Sequence, residues 1–136
     1  MARHCTMPAM AARESIDLEG MSHGVPIPNG CKIGNMVFSS AFSGRDPASG
    51  KVPEDPDEQA AVMFNNIRAF MKAAGGSPDN IGIVTVFLKE NSYRDSINKE
   101  WVKMFPDEHS RPARHAVEAP IRGAGLYFQV ELIAVL

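Results

Sequence analysis

Two side chains in this 136-residue chain have the types and setting to work together on a small acid. Arg114 closes the run Arg111-Pro112-Ala113-Arg114 at the start of a strand-like stretch. Glu131 follows seventeen positions later, inside a second such stretch. A guanidinium is a planar fork that can take a carboxylate through two parallel hydrogen bonds, which a lysine cannot match. Such a charge-assisted contact is worth roughly 1.5–3 kcal/mol. Its greater use is to hold the ligand's reacting carbon in register. A carboxylate fixed in a strand can direct a water at that carbon and accept its proton. Each residue also has a plainer reading: Arg114 as half of an interface salt bridge, Glu131 as a solvated strand residue.

Other reactive residues point to less. His4, His23, His109 and His115 have no metal-ligand spacing. His115 adjoins Arg114 along a strand, so it is expected to face the other way. Ser40 has no Gly-x-Ser-x-Gly elbow around it and is read as a hydrogen-bond donor, not a nucleophile. Gly75-Gly76 reads as a helix end, since no strand precedes it and no Lys-Ser/Thr follows. Cys5 and Cys31 match no zinc or redox motif, and free thiols in a reducing cytosol are favoured over a disulfide.

These residues must be positioned by one domain. Hydrophobic residues make up 44% and charged residues 22%, a globular composition with enough chain for one core. The net charge of −2 offers no excess of cations for displacing phosphate counterions, which argues against nucleic acid as a partner. No apolar run approaches the roughly 20 residues of a membrane span. Residues 1–22 read as an N-terminal extension without a secretory signal, and 23–136 as a single domain.

Within that domain the pattern predicts a weak strand over 24–33 and a firmer one over 35–40. Asp55, Pro56 and Glu58 mark a helix start, and Gly75-Gly76 its end. Ala60, Phe64, Ile67, Met71 and Ala74 recur between them at helical spacing. A strand is expected over 81–88. A second helix is expected from Ser92, with Asp95 completing a capping box and Ile97, Trp101 and Met104 on one stripe. Pro106 stops it. Strands over 113–118 and 126–134 close an α+β chain.

The last strand has two unlike faces. Leu126, Phe128, Val130 and Leu132 form an apolar one, while Tyr127, Gln129, Glu131 and Ile133 form the other. The 81–88 strand is apolar on both faces, so both want cover. Two helices can cover only one face of the sheet. A homo-oligomer built on the open face is therefore expected, with Glu131 on or near the interface.

Several local runs resemble the Rid family, the YjgF-like reactive intermediate deaminases. They are 33–40, Asp46-Pro47-Ala48-Ser49-Gly50, Ala73-Ala74-Gly75, 84–88, Ile97-Asn98, 111–114 and 130–134. Their order and spacing match from about Ile27 to the C-terminus. The resemblance implies a chorismate-mutase-like fold: a mixed sheet with two helices on one face, assembled as a homotrimer with sites between subunits. It implies cytoplasmic hydrolysis of 2-imino acids, or enamine tautomers such as 2-aminoacrylate, to 2-keto acids and ammonia, with no metal or organic cofactor. Arg114 matches the family's carboxylate-binding arginine and Glu131 its water-orienting glutamate. Ser40 and Asn98 match further site positions. The chain departs from the family at Ile27, where a site tyrosine is usual, at Ala116, where a cysteine is usual, and at Ala41-Phe42, in place of Gly-Gln. Ile27 and Phe42 suggest a bulkier, less polar ligand, such as a catabolic enamine. A non-catalytic trimer that binds small carboxylates is a further alternative.

Overall fold

In a computed structural model, residues 12–21 and 24–136 are described. Six strands form one sheet: β1 (Arg13–Ile16), β2 (Gly30–Ile33), β3 (Met36–Ser39), β4 (Ile81–Leu88), β5 (Ala113–Glu118) and β6 (Phe128–Val135). Their order is β1-β2-β3-β6-β4-β5. All neighbours are antiparallel except β4 and β5, which run parallel. Helix α1 (Pro56–Ala74) joins β3 to β4, and α2 (Arg94–Met104) supplies the crossover from β4 to β5.

Helix α1 begins and ends as its sequence dictates. Asp55 accepts a hydrogen bond from the Glu58 N–H at 3.0 Å, and Pro56 occupies the first turn. Gly75 closes the helix at φ 94°, a left-handed turn that glycine adopts without strain. Between the caps, Ala60, Met63, Phe64, Ile67, Phe70 and Met71 are buried against the sheet. Gly30 is required by this packing, because a Cβ there would lie 2.4 Å from the Phe70 ring.

The two helices cover one face. Val37, Val84, Val86, Leu88, Phe128, Val130, Leu132 and Ala134 point into the core they enclose. Strand alternation then turns Phe38, Ile83, Thr85, Glu131 and Ile133 to the helix-free face. Leu126, Phe128, Val130 and Leu132 are all buried, as their apolar stripe predicts.

Four boundaries differ from expectation. Arg13–Ile16, inside the stretch read as an extension, pair with β2 as the edge strand. The 24–33 strand shrinks to Gly30–Ile33, because Pro26 and Pro28 have no N–H to give a ladder. Helix α2 starts at Arg94 rather than Ser92, and no side chain caps it. The expected capping box gives way to a single 3₁₀ turn over Asn91–Tyr93. That entry is held by Glu118, which accepts from the Asn91 N–H at 3.0 Å, and by Tyr93 stacked on Tyr127 at 4.6 Å. Strand β6 starts at Phe128 because the Tyr127 N–H is taken by the Gln59 side chain at 2.9 Å.

Candidate active site

Arg114 lies on the helix-covered side of β5, the sheet's edge strand, with Val84 as its cross-strand partner. Two α2 residues hold it. One terminal nitrogen, Nη2, donates to Asn98 Oδ1 at 2.7 Å. The guanidinium carbon sits 4.9 Å from the centre of the Trp101 ring, a cation–π arrangement. Asn98 and Trp101 are three positions apart and so share one helix face.

Neither contact neutralises the charge. Nη1 of Arg114 is buried with no hydrogen-bond partner, the one such side-chain nitrogen or oxygen among the described residues. None of the ion pairs among those residues includes Arg114. Burial, and then the charge of Arg94, push its pKa below the ordinary arginine value. A half-buried cation that no carboxylate pairs keeps its full charge, and an anion could offset it. Arg111, in the same run, is engaged structurally instead: its Nε donates to the Phe105 carbonyl at 2.8 Å.

Glu131 lies on the opposite, open face. Its cross-strand partner is Thr85, and His115 follows on β5, turned away from Arg114 as alternation predicts. The exposed Glu131 carboxylate borders a hollow of ≈ 250 Å³ walled by Phe38, Ile83, Thr85 and Ile133. Arg114 and Glu131 therefore stand on opposite sides of the sheet, with β4 between their strands, and do not meet within one chain.

The remaining candidates divide the same way. Asn98 joins Arg114 directly, and Ala116 sits two residues along β5 on the same face, packed against the core. Ser40 donates to the Pro28 carbonyl at 2.8 Å, which ties down the segment before β2. Ile27 is exposed on that segment, beside a separate hollow shared with Ser15 and Met21. Phe42 is only 2% exposed: it packs against Phe70 at 5.0 Å between ring centres, bridges to Val130, and borders a hollow shared with Arg45 and Asn66. The sequence places Trp101 on a core stripe with Ile97 and Met104. Its spacing from Asn98 was the available sign that it too faces Arg114.

Cys31 is a free thiol in β2, while Cys5, His4 and His23 lie outside the described residues. No helix among the described residues is long and apolar enough to cross a membrane.

Fold and site together define an α+β domain with a half-buried, unpaired arginine on an edge strand. The sequence profile of the endoribonuclease L-PSP family matches residues 26–136, and the chain belongs to this family, the Rid or YjgF-like proteins. It is 31% identical over 111 residues to the 2-iminobutanoate/2-iminopropanoate deaminase of Escherichia coli K12, covering 81% of this chain and 87% of that one. The crystal structure of the Escherichia coli YjgF gene product superposes with a TM-score of 0.81 at 30% identity, over 90% of this chain and 98% of that one. Escherichia coli TdcF with bound serine matches equally in shape, with a TM-score of 0.81 at 27% identity and the same coverage of each chain.

Proposed function

We propose that this protein hydrolyses 2-imino acids, and the enamines that tautomerise to them, to 2-keto acids and ammonia. The observation that carries the proposal is the Arg114 guanidinium, fixed by Asn98 and Trp101 with one buried donor unpaired. A carboxylate beside an imine carbon would offset that unpaired charge and hold the carbon in register for attack. The deaminase named among the relatives acts on such imines, and TdcF was crystallised with serine, a small carboxylate.

The imine carbon is electrophilic and needs only a placed water. Glu131 orients the water and takes its proton as the oxygen bonds to the carbon. The imine nitrogen gains protons, the C–N bond breaks, and ammonia leaves as the carbinol oxygen becomes the keto oxygen. An enamine enters the same path after protonation at its terminal carbon. Nothing in these steps calls for a metal or an organic cofactor.

Because Arg114 and Glu131 occupy opposite faces, this chemistry needs Arg114 of one protomer beside Glu131 of another. The open face supplies a reason to associate. Ile33, Ile133 and Val135 are each more than a third exposed there, and the hollow beside Glu131 is mostly apolar. A homotrimer with three equivalent inter-subunit sites is the assembly we propose.

The test is direct. Imines of 2-aminobutyrate or alanine are generated in the cuvette by an amino-acid oxidase, and their loss is followed with and without the protein. Wild-type protein is expected to accelerate loss and release keto acid and ammonia in equal amounts. Arg114→Ala is expected to lower kcat/KM by on the order of 10²-fold or more, comparable to losing a preorganised donor. Arg114→Lys should recover little, since lysine lacks the fork. Wild-type turnover in Arg114→Ala would remove Arg114 from the mechanism. Keto-acid binding without any hydrolysis would favour a non-catalytic carboxylate-binding protein.

A further inference from the structure

Arg114 has a neighbour of its own sign. Arg94 is the first residue of α2 and lies four positions before Asn98. Arg94, Asn98 and Trp101 thus share one stripe of the helix, and the last two touch Arg114. Arg94 is exposed, and none of the ion pairs among the described residues includes it. Its Nη2 reaches Asn91 Oδ1 at a long 3.4 Å. Glu118, on the same strand face as Arg114, is engaged by the Asn91 N–H. Asp95 adjoins Arg94 in sequence, three positions before Asn98 on the flank of that stripe, and none of the ion pairs among the described residues includes it.

No ion pair among the described residues engages either guanidinium, and after burial the charge of Arg94 is the second influence that lowers the pKa of Arg114. One carboxylate on Arg114 would relieve half of the imbalance. A ligand with two negative groups would relieve both. Trp101 and Asn98 meanwhile leave the Arg94 end of the stripe as the exposed, cationic end.

We propose that Arg94 is a specificity-determining residue, and that the preferred substrate is a 2-imino acid with a second carboxylate on its side chain. Arg114 takes the carboxylate beside the imine, and Arg94 takes the distal one. One reaction that would supply such a compound is oxidation of an acidic amino acid at its amine-bearing carbon, the hydride passing to a flavin or nicotinamide and the proton to solvent. This inference rests on the imine-hydrolysis reading of Arg114, but its binding consequence can be measured apart from turnover.

Two assays separate the claims. In the first, kcat/KM is measured for the imines of glutamate and of 2-aminobutyrate. In the second, 2-oxoglutarate and 2-oxobutanoate are titrated calorimetrically. Wild type is expected to favour the diacid in both. Arg94→Gln is expected to lower the diacid-to-monoacid ratio about fivefold or more in each, while Arg94→Lys retains part of it. An unchanged ratio in Arg94→Gln overturns the inference. So does a change of assembly mass in light scattering, which would make Arg94 half of an inter-subunit ion pair. An Arg94-dependent preference for the diacid with no imine turnover would keep the second-acid site and remove the hydrolase reading. Turnover of both imines without that preference would do the reverse.

Discussion

The Arg114 guanidinium is held by an amide and an indole, groups that orient a cation without cancelling its charge. Stacking on Trp101 restricts the fork to one plane, and Asn98 fixes its rotation by occupying Nη2. Nη1 stays buried and unpaired. A cation–π contact of this kind contributes about 0.5–2 kcal/mol. Trp101→Leu is therefore expected to raise KM about three- to tenfold, with a smaller effect on kcat, while Trp101→Phe restores most of the loss. Steady-state kinetics on an imino acid checks this, with thermal melts of both variants to control for Trp101's place in the core. Equal behaviour of the Phe and Leu variants would mean that Trp101 serves packing alone. At this scale the resemblance marked Arg114 and Asn98 as separate site positions without showing that they bond to each other, and the part played by Trp101 was present only as helical spacing. Phe42 was legible only as a departure from the family's Gly-Gln. Adjacency in sequence could not say that its backbone bridges to Val130 while its ring turns inward onto Phe70.

Elements meet at a buried glutamine. Gln59 of α1 is fully buried, and its amide donates to the carbonyls of Pro53 at 3.0 Å and Gly125 at 2.9 Å. Its oxygen accepts from the Tyr127 N–H at 2.9 Å. One side chain thus joins the loop before α1 to the loop before β6, and sets where β6 begins. Gln59→Leu would leave a buried N–H and two carbonyls unpaired, at about 1–3 kcal/mol for each such group that water cannot reach. A loss of stability of roughly 2–4 kcal/mol is expected, measured by urea unfolding with the slope unchanged. A loss under about 0.5 kcal/mol would show that solvent replaces these bonds. The spans of α1, β4 and β5 were legible because caps, prolines and apolar runs act locally. The entry to α2 and the start of β6 were not, because they are set by Glu118 and Gln59, residues distant in sequence. Strand β1 was missed for a similar reason: Arg13-Glu14-Ser15-Ile16 has little strand character of its own and is held by pairing with β2.

For the whole molecule, the decisive fact is the placing of Arg114 and Glu131 on opposite sides of one sheet. Alternation along each strand was readable from sequence, and it correctly set Glu131 on the face lacking helices. Which side Arg114 takes follows from register, Val84 opposite both Arg114 and Leu132, and register between distant strands leaves no local mark. The proposed mechanism then requires an assembly in which one protomer's Arg114 faces another's Glu131. Subunit complementation tests that most directly. Arg114→Ala and Glu131→Gln chains, each expected to be inactive alone, are co-expressed with different tags, and mixed assemblies are isolated and assayed. In a cyclic trimer, each mixed assembly has one interface that draws its arginine and its glutamate from the unaltered positions. Random mixing should therefore restore about a quarter of wild-type activity to the whole population, and about a third to purified mixed trimers. Mixed trimers as inactive as either parent, with folding and assembly intact, would contradict a site shared between subunits.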